Sequence, residues 1–558
     1  MAGLGFASDT SRASSEEKIG LVNCLADLTG IYKATFDNFS YQELSEMKKD
    51  IVLDPWKYWD RQKGLTVFAL DKCAVNNAME SYEAKPSRLC ALYREVLMKC
   101  TYDSGHTYTF DYLFYKGLRL TDKQVDYVEE KLCAEGVISL HKGKIYNNAL
   151  VYSESQIAQT IISLLGKTTN LIRKDGEVED YKILEPEQKE VVDSIATENF
   201  MIMTGYPGTG KTKTVSVIAK MYEDVLLVAP TGKAARRITE MCGLEARTVH
   251  SIVFAFEING GSIKDCLIII DEASMLDIDI AGKFFSRIDT DTCKVLIVGD
   301  TCQLPSVGPG QILKDITEND LCEEGIYKHV HLTEIKRQEP GSIILSAHAI
   351  AAGKDLIKGD DKRVQVFYPN GKTLQEVVEM AALSDKWRRA QYLTVLREKC
   401  SDIINPIIQD FVNPGKGKWR VGDKVIHLKN DRERNVMNGD MGEIISVNKF
   451  GFLAKYSNAE YFYTAGTQWM VSLAYAFTVH KSQGSEFDKV ILFLNKSRMT
   501  NRNILYTGLT RAVNNVLIIA DDEDVVFDAI DTVEKSRNTT LRFWLRKYAK
   551  ELVDGVEA

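Results

Sequence analysis

A glycine-rich loop at residues 205–212 constrains this chain more than any other feature. The segment Phe200-Met-Ile-Met-Thr leads into Gly205-Tyr-Pro-Gly-Thr-Gly-Lys-Thr212, the pattern G-x-x-x-x-G-K-T, and helix-forming residues follow. Such glycines let backbone N–H groups turn toward phosphate oxygens, and the N-terminus of the following helix adds positive potential. We therefore predict contacts to nucleotide phosphates from Gly205, Tyr206, Pro207, Gly208, Thr209, Gly210, Lys211 and Thr212.

Four side chains have distinct predicted tasks around the phosphates. We expect Lys211 to reach the β- and γ-phosphates and the Thr212 hydroxyl to ligate Mg²⁺. The apolar run 266–270 ends in Asp271 and Glu272, at the strand end where parallel sheets carry ligand-binding residues. We expect Asp271 to hold the magnesium ion and Glu272 to polarise the attacking water. This set predicts hydrolysis of ATP and not only its binding.

The spacing of apolar runs predicts two parallel sheets. Runs of four or five residues, separated by helix-length segments, lie at 200–203, 225–229, 267–270 and 295–298. Strands that are apolar along their whole length are buried on both faces, as in parallel α/β sheets. A second set lies at 364–368, 392–396, 490–494 and 516–520. The strand at 294–298 leads to Gln303, which this topology places near the γ-phosphate.

Two further regions differ from the α/β pattern. Residues 415–471 contain short strands separated by turns such as Asn438-Gly439-Asp440, which predicts a small antiparallel barrel. Residues 1–180 are mostly helical in pattern and carry no recognisable chemical motif. We therefore predict a helical N-terminal region (1–180), a first lobe (181–330), a second lobe (331–414 and 472–558) and a barrel inserted into the second lobe (415–471).

Composition limits the classes of protein to consider. At roughly 150 residues per domain, 558 residues predict three to four domains, and 45% hydrophobic residues suffice for their cores. No apolar run approaches the roughly 18 residues of a membrane span, and no signal peptide is evident, so we expect a soluble, cytoplasmic protein without a membrane partner. The net charge of −8 does not exclude nucleic acid, because the segment 416–435 has seven Lys and Arg against three acids.

The order of the motifs resembles that of superfamily-1 helicases, most closely the RecD-like branch. Similar segments occur in the family's order as the Q motif (184–188, LEPEQ), motif Ia (229–235, APTGKAA), motif Ib (247–251, RTVHS), motif III (299–309, GDTCQLPSVGP), motif IV (332–338, LTEIKRQ), motif V (475–487, YAFTVHKSQGSEF) and motif VI (506–512, YTGLTRA). Residues 422–443 resemble the start of the SH3-like barrel of this family. The resemblance implies two RecA-like lobes of the P-loop NTPase class, the SH3-like barrel and the helical N-terminal region.

The resemblance also assigns roles to single residues. It implies that Arg337 and Arg511 are arginine fingers on the γ-phosphate, that Gln188 reads the adenine, and that Gly484 and Glu486 bind nucleotide, Glu486 at the ribose. The residues that it implies for single-stranded nucleic acid are Pro230, Thr231, Lys233, Thr248, His250, Thr478 and His480. Hydroxyls, imidazoles and backbone amides suit phosphate contacts without base readout.

Two departures from the family pattern stand out. Tyr206 replaces a small P-loop residue, and we expect its ring to pack on a neighbour or on the base. The segment 251–265, where relatives have a strand-separating pin, allows only a tight hairpin that turns at Asn259-Gly260-Gly261. Phe254 or Phe256 could stack on a base there, although core packing is the favoured interpretation. Translocation is therefore better supported than vigorous unwinding.

The favoured hypothesis is an ATP-dependent DNA helicase or translocase, with ATP and Mg²⁺ as cofactors. The resemblance to the RecD-like branch implies movement from 5′ to 3′ on single-stranded DNA and engagement of duplex junctions. A protein partner could bind through residues 1–180. Two alternatives remain open: an RNA helicase of the same superfamily, and a nucleotide-switched scaffold that does not translocate.

Overall fold

The computed structural model describes residues 15–556, except 32, 62, 80, 119, 175–177, 335–340, 400–402, 430, 432–433, 435 and 458. The chain divides into two compact units, Met1–Val151 and Tyr152–Ala558. The second unit contains two parallel sheets and one antiparallel sheet, which confirms the predicted α/β fold class. In the part that the structure describes, no helix combines the length and the apolar composition that crossing a membrane requires.

The first unit is mostly helical, as the sequence predicts, but it also has a small antiparallel sheet. Its helices are α1 (Ser15–Thr29), α2 (Lys33–Phe36), α3 (Tyr41–Asp50), α4 (Val67–Asn76), α5 (Pro86–Thr101), α6 (Asp111–Gly117) and α7 (Asp122–Ala134). Its strands are β1 (Tyr108–Phe110), β2 (Ile138–His141) and β3 (Lys144–Asn147), in the order β1-β3-β2. Strands of three or four residues show too little alternation to be recognised in a sequence.

The first lobe of the second unit is a six-stranded parallel sheet. Its helices are α8 (Asn148–Leu165), α9 (Glu179–Lys182), α10 (Pro186–Thr197), α11 (Lys211–Met221), α12 (Gly232–Cys242), α13 (Val249–Asn259), α14 (Ile278–Phe285), α15 (Ile312–Thr317) and α16 (Asp320–Glu323). Its strands are β4 (Phe200–Gly205), β5 (Val225–Ala229), β6 (Ala246–Thr248), β7 (Leu267–Ile270), β8 (Lys294–Gly299) and β9 (Lys328–Leu332), in the order β6-β5-β7-β8-β4-β9. The four predicted strands are all present. The other two strands were not predicted, because β6 is short and β9 alternates polar residues with apolar ones.

Residues 251–265 do not form the predicted hairpin, because most of them belong to helix α13. The Thr248 side chain accepts a hydrogen bond from a first-turn amide and caps the N-terminus of this helix, which ends before Gly260 at φ +68°. Phe256 packs against the core of the first lobe, as favoured from the sequence, whereas the Phe254 side chain is 48% exposed. The glycine pair therefore ends a helix and does not turn a hairpin.

The second lobe is interrupted by the antiparallel domain. It begins with α17 (Ser342–Ala351), β10 (Val364–Phe367), α18 (Leu374–Leu383), β11 (Gln391–Thr394), α19 (Arg397–Lys399) and α20 (Asn405–Val412). The inserted strands are β12 (Lys424–His427), β13 (Met441–Asn448), β14 (Gly451–Tyr456), β15 (Glu460–Thr464) and β16 (Val471–Leu473), in the order β15-β14-β13-β12-β16. Because β16 pairs with β12, the insertion extends past its predicted end at residue 471.

After the insertion, the chain completes the parallel sheet of the second lobe. The elements are β17 (Ala476–Thr478), α21 (Val479–Ser482), β18 (Phe487–Leu494), α22 (Arg502–Leu509), β19 (Ala512–Ala520), α23 (Glu523–Asp531) and α24 (Leu541–Val556). The strand order is β10-β19-β18-β11-β17, and all neighbours are parallel. The carboxyl ends of both parallel sheets carry the predicted motifs, as in other α/β folds.

Two helices belong to the first lobe although the sequence assigned them elsewhere. Ile157 and Ile161 of α8 are buried in the same core as Leu541 and Leu545 of α24, beneath the sheet of the first lobe. The predicted boundary at residue 180 is therefore too late, and the assignment of α24 to the second lobe is wrong. An apolar helix face does not reveal which of two neighbouring cores it covers.

We predict that Leu545→Ala lowers the free energy of unfolding of the first lobe by about 2 to 5 kcal/mol, because the side chain is fully buried and its loss leaves a cavity. Val553→Ala on the same helix is the control, with an expected change within about 0.5 kcal/mol, since that side chain is 59% exposed. Denaturant unfolding measures both. Equal, small effects would show that α24 does not complete this core.

Candidate nucleotide cleft and nucleic-acid groove

The glycine-rich loop between β4 and α11 holds its own lysine. Gly208 and Gly210 have φ values of +83° and +84°, in the left-handed region that favours glycine. The Lys211 Nζ donates hydrogen bonds to the carbonyl oxygens of Gly205 (2.6 Å) and Tyr206 (3.1 Å). The ammonium group is thus held against the loop in which the sequence predicts the phosphates to bind.

Two residues of the predicted nucleotide site, Gln188 and Tyr206, have side-chain partners within the protein. The Gln188 Nε2 donates to the Thr209 carbonyl at 2.7 Å, and its Oε1 accepts from the Glu185 backbone N–H at 3.1 Å, so that both polar atoms are used and the residue is 2% exposed. The side chain thus supports the P-loop from behind, and the role of Gln188 in reading adenine stays a prediction. The Tyr206 ring packs on a neighbour, the His348 ring, at a centroid distance of 4.4 Å.

The two acidic residues after β7 form a buried negative site. The Asp271 carboxylate is 7% exposed and accepts a hydrogen bond from the Glu272 backbone N–H at 2.8 Å. Burial, followed by the negative charge of Glu272, raises the pKa of Asp271 to about 6. Glu272 has φ +53°, an uncommon value for a residue other than glycine, which indicates backbone strain at this position.

The chemistry of these donors fits a magnesium ion. Burial without a paired cation disfavours the charged form of Asp271, which a divalent cation would favour. Thr212 stands in the first turn of α11, directly after Lys211. No group of three or more His, Cys, Asp or Glu side chains suited to a metal occurs among the described residues. A magnesium site built from one carboxylate, one hydroxyl and nucleotide phosphates stays the prediction.

The predicted arginine finger Arg511 is buried and has no strong partner. Its guanidinium donates to the Thr507 carbonyl (3.1 Å), the Ser485 carbonyl (3.2 Å) and the Thr510 hydroxyl (3.3 Å), all neutral acceptors. Burial lowers its pKa, and the charge of Glu272 counteracts this. No carboxylate of the described chain forms an ion pair with it, so its charge is available to a phosphate.

Arg337, the other predicted finger, lies outside the described residues together with the rest of 335–340. Its role therefore stays a prediction.

One face of α12 contacts the second lobe on the nucleotide side. The Lys233 Nζ is 2.5 Å from the Ser485 Oγ, and the Arg237 Nη2 forms an ion pair with the Glu486 Oε1 at 2.7 Å. Ser485 also accepts from Arg511, which places this contact beside the acidic pair. The Lys233 ammonium group thus contacts the second lobe, and its predicted role in nucleic-acid binding stays a prediction.

Motif III joins the two lobes. The Asp300 carboxylate accepts from the Tyr506 hydroxyl at 2.7 Å and from the Gln303 Nε2 at 3.4 Å. The Gln303 Oε1 is buried and has no hydrogen-bond partner among the described residues. The next residue, Leu304, donates from its N–H to the Thr507 hydroxyl and accepts at its carbonyl from Gln483, both at 3.0 Å. The loop that carries Gln303 is thus bonded to motifs V and VI.

A groove with a volume of about 440 Å³ lies between motif V, the inserted domain and the tip of motif III. Residues from these elements and from α19 contribute to its lining, among them Val307, Arg397, Asn438, Thr478, His480 and Lys481. Two of them, Thr478 and His480, are predicted nucleic-acid contacts. Burial lowers the pKa of His480, and the positive charge of Arg537 lowers it further. A neutral imidazole beside basic side chains suits contact with a phosphate backbone.

The predicted nucleic-acid contacts of the first lobe do not line this groove. Thr231 and Thr248 use their hydroxyls to cap α12 and α13, accepting backbone N–H bonds at 3.2 Å and 3.1 Å. His250 is exposed in the first turn of α13, and Pro230 is half-buried just before α12. Gly484, at φ +70°, stands opposite Thr231, where a Cβ would lie 3.8 Å from the hydroxyl. The nucleic-acid roles of Pro230, Thr231, Thr248 and His250 stay predictions, as does nucleotide binding by Gly484.

The sequence did not identify Arg237, Val307 and Arg397, which the structure places at the two sites. Arg237 lies four residues after Lys233 and therefore on the same helix face, which is a usable signal. Arg397 follows a strand of a parallel sheet, where ligand contacts concentrate. Val307 lies inside motif III, but no sequence pattern shows that an apolar side chain there is 76% exposed.

We predict that Asp271→Asn stabilises the nucleotide-free protein while it abolishes turnover. The raised pKa means that the folded state disfavours the charged carboxylate, so the cost in unfolding free energy is complete above pH 6 and shrinks as the pH falls from about 6 toward 3.8. At pH 8, without magnesium, the gain in unfolding free energy should be roughly 1 to 3 kcal/mol.

The gain from Asp271→Asn should shrink at pH 5 in the same denaturant titrations. Asp385→Asn is the control, because this side chain is 98% exposed. It should leave the free energy of unfolding unchanged at both pH 8 and pH 5. A gain that is equal at both pH values would contradict the assigned origin of the effect.

Comparison with known proteins gives three matching domains in this order. The family described as AAA domain matches residues 183–368, the ATP-dependent RecD-like DNA helicase SH3 domain matches 399–455, and the UvrD-like helicase C-terminal domain matches 473–519. The inserted antiparallel domain is therefore SH3-like. The first match ends just after β10 in the second lobe, so it covers the P-loop and motifs Ia to IV.

Similar proteins come from several bacteria. The chain is 30% identical to the ATP-dependent RecD2 DNA helicase of Deinococcus radiodurans, over 69% of this chain and 56% of that protein, and thus spans little more than half the length of this relative. It is 27% identical to the RecBCD enzyme subunit RecD of Mycolicibacterium smegmatis, over 70% of this chain and 80% of that protein.

Among solved structures, Bacteroides Pif1 bound to ssDNA is similar at 20% identity with a TM-score of 0.41, over 67% of this chain and 98% of that chain. The order of the motifs, the three matching domains and the two relatives establish that this chain belongs to the RecD-like branch of the superfamily-1 helicases.

Proposed function

We propose that this chain is an ATP-driven helicase that moves from 5′ to 3′ along single-stranded DNA and opens duplex junctions. The observation that carries the proposal is the course of motif III. Its Gln303 is hydrogen-bonded to Asp300 beside the nucleotide cleft, and Val307, four residues later, lines the groove. One short loop therefore contacts both candidate sites, as coupling of hydrolysis to strand movement requires.

At the nucleotide cleft, each residue has a task that its surroundings support. Lys211 neutralises the β- and γ-phosphates, and Glu272 accepts a proton from the attacking water. Arg511 stabilises charge on the γ-phosphate, which its lack of an anionic partner favours. Asp271 and Thr212 would hold a magnesium ion, which would neutralise phosphate charge when bound.

Closure of the lobes involves an exchange of partners at Glu486. This carboxylate is paired with Arg237 of the first lobe, so a ribose hydroxyl that binds it must compete with the guanidinium. Because of this competition, binding of nucleotide in the cleft affects the Arg237–Glu486 ion pair between the lobes. Arg337 is proposed as a second positive charge on the γ-phosphate.

The groove supports contact with a single strand. Its exposed Arg397 and Lys481 provide charge for phosphates, and Val307 provides an apolar contact for a base or sugar. The run 416–435 contributes less than its composition suggests, because Arg420 is paired with Asp410 at 2.7 Å. DNA is favoured over RNA because the Deinococcus relative is described as a DNA helicase. A protein partner of the first unit stays a prediction.

The decisive test is ATP turnover with and without single-stranded oligonucleotides of matched DNA and RNA sequence. We expect DNA to stimulate turnover more than RNA does. Glu272→Gln should lower the rate by at least about 100-fold while nucleotide affinity is kept, because only proton transfer is lost.

The alternatives predict different results in this assay. Stronger stimulation by RNA would favour an RNA helicase, and no stimulation by either would favour a nucleotide-switched scaffold. A wild-type rate in Glu272→Gln would refute the assignment of the base.

The direction of movement has its own test. The expected direction rests on the family alone, because the contacts in the groove do not by themselves encode a polarity. We expect a duplex with a 5′ single-stranded tail to be opened and the same duplex with a 3′ tail to remain closed, as measured by strand release. Preferential opening of the 3′-tailed duplex would place the chain in another branch of the superfamily.

A further inference from the structure

The turn that ends motif III, residues 306–310, is held by one side chain from the C-terminal segment. The Arg537 guanidinium donates to the carbonyl oxygens of Ser306, Gly308 and Gly310, each at 2.7 Å, and to the Ser306 hydroxyl at 3.2 Å. A planar fork of N–H donors can satisfy several acceptors in one turn, which an ammonium group cannot do with the same geometry. The guanidinium therefore fixes the turn at three of its carbonyls.

Backbone and amide contacts add to this grip. The Arg537 N–H donates to the Gln311 Oε1 at 3.1 Å, and the Gln311 Nε2 donates to the Ser536 hydroxyl at 2.9 Å. The segment that carries these residues runs from α23 of the second lobe to α24, which packs on the first lobe. The turn is therefore bound to a connection between the lobes.

The opposite side of the turn is packed against the start of α14. The Ile278 N–H donates to the Pro309 carbonyl at 2.9 Å, and a Cβ on Gly310, at φ +91°, would lie 1.9 Å from an Ile278 side-chain atom. A Cβ on Gly308 would lie 2.8 Å from the Asp277 side chain. The turn therefore cannot relax toward α14, and its position depends on both contacts.

The charge of Arg537 is not needed to balance a neighbouring carboxylate. No carboxylate of the described chain forms an ion pair with it, although Glu534 is near enough to affect its pKa, which burial lowers. Its positive charge is also felt by His480 in the groove. Burying this arginine costs free energy, and its guanidinium binds three carbonyls of one turn. Both facts indicate that the protein requires this turn to keep its geometry.

We propose that Arg537 is a positioning residue that couples strand binding to ATP hydrolysis. It fixes the turn 306–310 so that Val307 stays in the groove while Gln303, at the other end of the loop, stays beside Asp300. The second lobe holds the loop at Leu304, and Arg537 holds it at the turn, so Val307 and Gln303 keep fixed positions at the groove and at the nucleotide cleft. The inference rests on the proposed function and adds its means of coupling.

The test compares Arg537→Gln and Arg537→Lys in the full chain. ATP turnover is measured against the concentration of an oligothymidylate, together with the KM for ATP. We expect the ratio of stimulated to unstimulated turnover to fall by about 10- to 100-fold in both variants, because a misplaced loop loses alignment. The KM for ATP should stay unchanged. The lysine variant keeps the charge and loses the fork, so it should not rescue the ratio.

Two further variants complete the design. Arg546→Gln is the matched control on α24: its ion pair with Asp320 (2.6 Å) is exposed, so this variant should keep the wild-type ratio. Val307→Ala changes an exposed side chain and leaves the fold intact, and it should lower the ratio without moving the melting temperature.

Each remaining outcome overturns the inference. A wild-type ratio in Arg537→Lys would mean that only the charge of this residue matters. A wild-type ratio in Val307→Ala would mean that strand binding does not act through the turn. A fall of stimulated and unstimulated turnover in equal proportion in Arg537→Gln, with a lower melting temperature, would make the residue merely structural. A wild-type protein that no strand stimulates would refute the proposed function and this inference together, whereas stimulation that survives in both Arg537 variants refutes the inference alone.

Discussion

The nucleotide cleft of the second unit contains a buried positive charge, Arg511, to which no carboxylate of the described residues is bonded. Arg511 is 4% exposed and donates only to neutral oxygens, while Glu272 and Glu486 act on it from a distance. Burying a guanidinium in this way costs free energy, which the packing of the two lobes must offset. An anion that enters the cleft relieves that cost. The electrostatics of the cleft therefore suit a phosphate, and the acidic pair on the facing lobe is the proposed site for a cation.

Motif III connects this cleft by hydrogen bonds to the second lobe and to the C-terminal segment. Its residues bond to motif V through Gln483, to motif VI through Thr507, and to the C-terminal segment through Arg537. A change in the distance between the lobes therefore requires these hydrogen bonds to rearrange.

The sequence predicted the sheets and the P-loop well, because buried strands and glycine-dependent turns leave local signals. It did not predict contacts between residues that lie far apart along the chain. Gln188 supports the P-loop because its amide reaches Thr209, and Lys233 points to Ser485 in the other lobe. Neither direction can be read from a motif. The sequence also did not show which lobe α24 covers, because its apolar face fits either lobe. At the end of α13, a glycine pair that ends a helix looks in sequence like one that turns a hairpin.

The placement of α24 has a consequence for how the protein is made. Because Leu541 and Leu545 are part of the core beneath the first sheet, the whole second lobe and the SH3-like domain are, in topology, an insertion into the first lobe. During synthesis the sheet of the first lobe emerges from the ribosome long before the helix that covers part of its core. That apolar surface stays exposed until the second lobe and α24 have been translated. The first lobe therefore completes its core only after the second lobe has been synthesised.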